Sequence, residues 1–197
     1  MNPSLYLVGS AADVPRRRTG LWVFMGVVGM LFFLFSSAYV MRMAMPDWRP
    51  LPFVPVQLWL STALLAGASV AWHLAWRAAH ERAAAALRLA YGVACLCSMA
   101  FLASQLWAWR AMETAGLTLD AGPANSFFYL ITSVHGLHVI GGLVVAAWAH
   151  PRPSRDGVTM QLCARYWHFL LGLWLAMFAL LFGVTPELVN QICGGGP

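Results

Sequence analysis

Five apolar stretches, each long enough to cross a lipid bilayer, divide this chain: Gly20 to Arg42, Phe53 to Trp76, Leu87 to Met112, Ser126 to Trp148 and Tyr166 to Pro186. A helix needs about 20 apolar residues to span the hydrocarbon core. In lipid, each spanning segment must also satisfy its backbone N–H and C=O groups internally. The expected fold is therefore all-α, an integral membrane bundle of five transmembrane helices over residues 20–186 (spans 20–42, 53–76, 87–112, 126–148 and 166–186). Residues 1–19 read as a polar, mostly unstructured tail and 187–197 as a second short tail, and no soluble domain fits between the spans. Charged residues make up 10% of the chain, against about 25% in a soluble domain. The first stretch is too long for a signal-peptide core, and Arg42 follows it without a clear cleavage site, so it is expected to be a retained helix.

Charge sets the expected orientation. All twelve basic residues are arginine. With the N-terminus cytoplasmic, that side holds Arg16, Arg17, Arg18, Arg77, Arg82, Arg88, Arg152, Arg155 and Arg165, and the other holds Arg42, Arg49 and Arg110. Nine to three favours a cytoplasmic N-terminus and a periplasmic C-terminus in a bacterial inner membrane. The positive charge is scattered over short loops at headgroup level, which argues against nucleic acid as a partner.

The loops and helix faces carry weaker signals. Three prolines, Pro46, Pro50 and Pro52, keep the first outer loop from becoming helical. The inner loop 77–88 is alanine-rich and could be helical, and Pro151 and Pro153 open the other inner loop. Cys95 and Cys97 point to different helix faces, and with Cys163 and Cys193 they form no disulfide framework. Trp22, Trp48, Trp59, Trp76, Trp107, Trp109, Trp148 and Trp167 lie near expected helix ends and suit an aromatic belt, whereas Trp174 lies deeper. Ala63, Gly67 and Ala71 in the second span, and Gly172 and Ala176 in the fifth, are small-residue stripes that would let helices approach closely.

Polar residues inside lipid are functional candidates. Here they are Gln105, His135, His138 and His168, with hydroxyls such as Ser36, Ser61, Thr62, Ser69, Ser98, Ser104 and Thr132; His73 and His150 fall nearer the helix ends. No span has an acidic residue in its middle, which disfavours a proton-driven transporter and a carboxylate metal site. Imidazole binds zinc, copper and iron, and His135 and His138 share a helix face. Such ligands are usually oriented by a further carboxylate. Without one at depth, hydrogen-bonded interhelical histidines and an interhelical Gln105 are the favoured reading.

The string from Phe127 to Gly142, FFYLITSVHGLHVIGG, resembles subunit III of the haem-copper oxidases, which include cytochrome c and quinol oxidases. The resemblance extends to Gly20-Leu21-Trp22-Val23-Phe24, Phe32 and Ala38-Tyr39 with Arg42, to Leu51-Pro52, Ser61-Thr62 and Ser69, to Phe101, Gln105 and Trp109, and to Tyr166-Trp167-His168-Phe169 with Trp174. Three departures each remove a carboxylate: Val27-Val28 stand where the family has a Ser-Glu pair, Ala108 replaces a glutamate, and Leu171 an aspartate.

The resemblance implies a subunit with no haem, copper or catalytic residue of its own, those cofactors being held by partner subunits. It implies packing on subunit I in a complex with subunit II, binding of phospholipid in an interhelical cleft, and support of proton uptake and complex stability. Trp22, Arg42, Trp109, Tyr166, Trp167 and Trp174 are the lipid or interface candidates. The family's longer form has seven helices, so subunit I is expected to supply two extra C-terminal helices beside helix one, or the cleft is open. His135 and His138 are expected to bond neighbouring helices, with Ser36 a candidate partner. Two other readings are an accessory protein of a nitric oxide reductase and a stand-alone transport or haem-binding protein. A haem absorption band on the isolated chain would mark the last.

Overall fold

The computed structural model describes residues 4–148 and 157–185, with side chains described from residue 15 onward. They form five helices: α1 (Ser4–Arg42), α2 (Val56–His80), α3 (Ala84–Thr114), α4 (Pro123–Trp148) and α5 (Gly157–Gly183). All five are long and apolar enough to cross a membrane, α1 through Pro15–Arg42. The chain is a multi-pass membrane protein. Helices α2, α3, α4 and α5 pack in a ring, each against the next, and α1 lies outside against α4 and α5.

The connections follow from local chemistry. Pro55, extended at φ −60° and ψ 136°, precedes α2, and Pro123 opens α4, where its missing N–H costs no helical bond. Helix α3 ends in a Schellman turn: the Leu117 N–H reaches the Met112 carbonyl at 3.0 Å, and Gly116 takes the left-handed conformation at φ 78°. The α2–α3 turn has the same geometry, with Ala83 N–H on the Ala78 carbonyl at 2.9 Å. There the left-handed position is Arg82, at φ 57°. The alanine-rich inner loop is thus a three-residue turn between two helices.

Two expected boundaries are corrected. Helix α1 begins at Ser4, so residues 4–19 are helical, not an unstructured tail. Pro15, the one proline inside the helix, removes a single helical donor. Helix α5 begins at Gly157, nine residues before the expected span. Its first turns bury Met160, Cys163, Ala164 and Trp167, an i, i+3, i+4, i+7 stripe. Arg165 interrupts the apolar run without interrupting the helix. Pro151, Pro153, His150, Cys193 and the tail 187–197 lie outside the described residues.

Helix α1 buries one narrow stripe, Val28, Phe32 and Tyr39, and exposes Trp22, Val23, Val27, Met30, Phe33, Leu34 and Met41. A helix apolar on every side with only one stripe buried faces lipid or partner chains on the rest. The stripe in α2 is used internally: a Cβ on Gly67 would meet Cys97 Sγ of α3 at 3.9 Å.

Candidate functional site

His135 of α4 is fully buried at the centre of the bundle. Its ring is surrounded by Phe32 of α1 (centroids 6.2 Å apart), Phe101 of α3 (5.7 Å) and Trp174 of α5 (5.4 Å). Neither ring nitrogen has a hydrogen-bond partner, and the same holds for both amide atoms of buried Gln105. Gln105 lies midway on α3 between Phe101, which touches His135, and Trp109, whose Nε1–H donates to Thr132 Oγ1 at 3.1 Å. That register puts Gln105 level with the 132–135 segment of α4.

The expected bond from Ser36 does not form. Its hydroxyl donates to the Phe32 carbonyl of its own helix at 2.8 Å, as hydroxyls in apolar helices commonly do. His138, half-buried, is tied to its own helix through Nδ1 and the Val134 carbonyl at 2.7 Å. Phe24 and Phe32 flank its ring at 6.2 and 5.7 Å. Helix α1 therefore meets α4 through aromatic packing.

His168 is exposed on the outer side of α5. Its Nδ1 lies 2.5 Å from Ser69 Oγ of α2, and its ring is 5.7 Å from His73. The structure does not bring His135, His138 and His168 together. Among the described residues, no group of three or more His, Cys, Asp or Glu side chains could hold a metal ion.

The remaining candidates separate by position. Trp167 is buried rather than part of a belt, because α5 starts so early. It lies 4.5 Å from Trp72, and its Nε1–H donates to Ser98 Oγ at 2.9 Å. Trp174 is buried and donates to Thr62 Oγ1 at 2.9 Å. Tyr166 donates to the His138 carbonyl at 3.0 Å. Arg42 pairs with Asp47 at the far end, Nη1 to Oδ1 at 2.7 Å. That bond holds the Asp47 carboxyl below its ordinary range. Trp22 is 60% exposed.

A cavity of about 650 Å³ opens between α1, α4 and α5 at the arginine-bearing end. Leu21, Phe24, Leu137, Val145 and Leu162 make its walls mostly apolar, with Arg17, Thr159, His138 and Tyr166 as the polar lining. Gly142 lines it too. A Cβ there would lie 2.7 Å from Tyr166 Cε1 and 3.0 Å from Trp167 Cη2. Sequence reasoning singled out the stripes in α2 and α5 and missed this glycine, whose signal was the Gly-Gly pair ending the histidine string.

The fold and site define a polytopic helical membrane protein whose buried polar groups mostly tie helices together. No family model matches the chain. It is 28% identical to cytochrome c oxidase subunit 3 of Synechocystis, over 84% of this chain and 75% of that protein. It is 27% identical to cytochrome c oxidase subunit 3 of Thermostichus vulcanus, over 86% and 88%. With cytochrome bo(3) ubiquinol oxidase subunit 3 of Pseudomonas aeruginosa the identity is 24%, over 83% and 82%. These likenesses, over most of the chain, support the haem-copper oxidase subunit III family.

Proposed function

We propose that this respiratory terminal oxidase subunit III is a non-redox subunit that packs on subunit I, in a complex that also holds subunit II and the haem and copper. It lies in a bacterial cytoplasmic membrane with its N-terminus inside, binds phospholipid, and supports proton uptake and complex stability during oxygen reduction. The observation that carries this reading is the likeness to named oxidase subunits over most of their length. The cavity supports the lipid part. Its volume falls in the range of about 300–1,000 Å³ that takes a small ligand, and it combines apolar walls with Arg17, a cation suited to a headgroup phosphate.

The test is purification of the chain from native membranes. A colourless chain that co-purifies with a haem-containing partner and bound phospholipid supports the reading, and a haem band on the isolated chain refutes it. Filling the cavity with Leu137→Trp should remove one phospholipid from the complex by native mass spectrometry and shorten its turnover lifetime. Unchanged lipid content would refute lipid binding there.

A further inference from the structure

His73 and His168 form a polar patch on the outer surface of a membrane helix pair. His168 is exposed and His73 half-buried, their rings are 5.7 Å apart across the α2–α5 seam, and Trp76 packs on His73 at 5.1 Å. Ser69 Oγ engages Nδ1 of His168, and the His168 residue itself is exposed. Ionisable side chains in membrane helices usually face the interior or a partner, because lipid tails offer them no hydrogen bond. His135 satisfies that rule by burial, and the His73–His168 pair does not.

The surface around the pair is shaped for a close neighbour. On α5, His168, Gly172, Leu175 and Ala179 recur at four, seven and eleven residues, and all are exposed. Nothing lies within 4 Å of a Cβ built on Gly172. On α2, Val70 and Leu74 are 58% and 50% exposed. A glycine on an open helix face lets a second helix approach closely, the main source of attraction between helices in lipid. The complement to two imidazoles is an acceptor, best a carboxylate, and no acid of this chain lies in the middle of a span.

We propose that the α2–α5 face is a docking surface for a transmembrane helix of another subunit of the oxidase complex. That helix crosses at Gly172 and presents an aspartate or glutamate to His73 and His168. The inference rests on the chain being an oxidase subunit, and it assigns which face meets a partner and by what chemistry. Arg77 and Arg165 lie one turn nearer the arginine-bearing end of the bundle, so a phospholipid phosphate is the rival occupant.

The experiment places a photo-crosslinking benzoylphenylalanine at Leu175 in the intact complex, with Val144, exposed on α4 and outside the cavity lining, as comparison. The expected result is a Leu175 adduct to another subunit, mapped by peptide mass spectrometry to a membrane segment containing Asp or Glu. His73→Leu with His168→Leu should lower that adduct and the retention of this chain at least fivefold. His168→Gln, which keeps a donor, should restore most of both. A lipid-only adduct at Leu175, or a double variant that crosslinks and is retained like the parent, overturns the proposal. If that happens while a haem-containing partner still co-purifies, the docking face fails and the oxidase assignment stands. If no such partner co-purifies, the oxidase assignment fails and the docking proposal falls with it.

Discussion

Gly142→Ala should destabilise the bundle, and the structure supplies the magnitude. A Cβ at this position lies 2.7 Å from Tyr166 Cε1 and 3.0 Å from Trp167 Cη2, well inside the roughly 3.5–4.0 Å of an unstrained carbon contact. Neither ring can retreat freely. Tyr166 is held by its hydroxyl on the His138 carbonyl, and Trp167 by its N–H on Ser98 and its contact with Trp72. Adding a methyl to a packed core typically costs about 1–3 kcal/mol. Alanine offsets up to about 1 kcal/mol of that through its better helix propensity. With the full offset the net loss is about 0–2 kcal/mol, and the 2.7 Å approach to a tethered ring puts it toward the upper end. It would rise by about another 0.5–1.5 kcal/mol if the Tyr166 bond breaks. The adjacent Gly141→Ala is the control, because nothing lies within 4 Å of its Cβ, and it should be neutral or slightly stabilising. The assay is thermal loss of the monodisperse complex in detergent, followed by size-exclusion chromatography. Equal melting of the two variants would refute the claim that α4 and α5 meet at Gly142.

Arg82→Gly should stabilise the α2–α3 hairpin by up to about 1 kcal/mol, because glycine takes the left-handed position without the penalty that a Cβ carries; a lower melting temperature would show that the arginine side chain matters more. Ser98→Ala should cost about 1–3 kcal/mol by leaving the buried Trp167 N–H unpaired, and Trp167→Phe together with Ser98→Ala should lose less than the two single changes added. Asp47 is held below its ordinary value of 3.8 by its bond to Arg42, so the pair's contribution is complete above that value and fades as pH falls through the lowered one. Carboxyl NMR should find the Asp47 titration moved back up in Arg42→Gln, and no movement would show that the pair does not form.

The five spans were legible because apolar run length is a property of the chain alone. Their ends were less so. Arg165 breaks the hydropathy of α5 but not its helix, since a long cationic side chain can extend its charge away from an apolar face. Among site residues, the sequence marks His135, His138, His168 and Gln105 as unusual at depth, because polarity against an apolar background is a local signal. It does not tell which of them finds a partner. Ser69 reaches His168 across 99 residues, and the Ser61 and Ser104 hydroxyls meet at 2.9 Å near the Gln57 carbonyl. Such pairs depend on helix rotation and tilt. The Gly-Gly pair hinted at Gly142 but not at what it meets, since its importance lies in two rings twenty-four and twenty-five residues away.

The histidines of α4 stand in an apolar setting, His135 among Phe32, Phe101 and Trp174 and His138 between Phe24 and Phe32. Val28 lies one turn from exposed Phe24 and one turn from buried Phe32, whose rings both flank the His138 ring. An acid at Val28 would therefore sit level with His138, whose Nδ1 is already engaged by Val134 and whose Nε2 remains to receive it. Ala108 is fully buried on α3. Placing one acid at Val28 tests whether this register is right. Val28→Glu should destabilise, since a buried carboxylate is costly, but less so with His138 present than in His138→Phe. A coupling of at least about 0.5 kcal/mol in the double-mutant cycle is expected for groups in contact. A cycle that closes with no coupling would place Val28 away from His138. In that case the aromatic packing of α1 on α4 could not be what aligns the two helices.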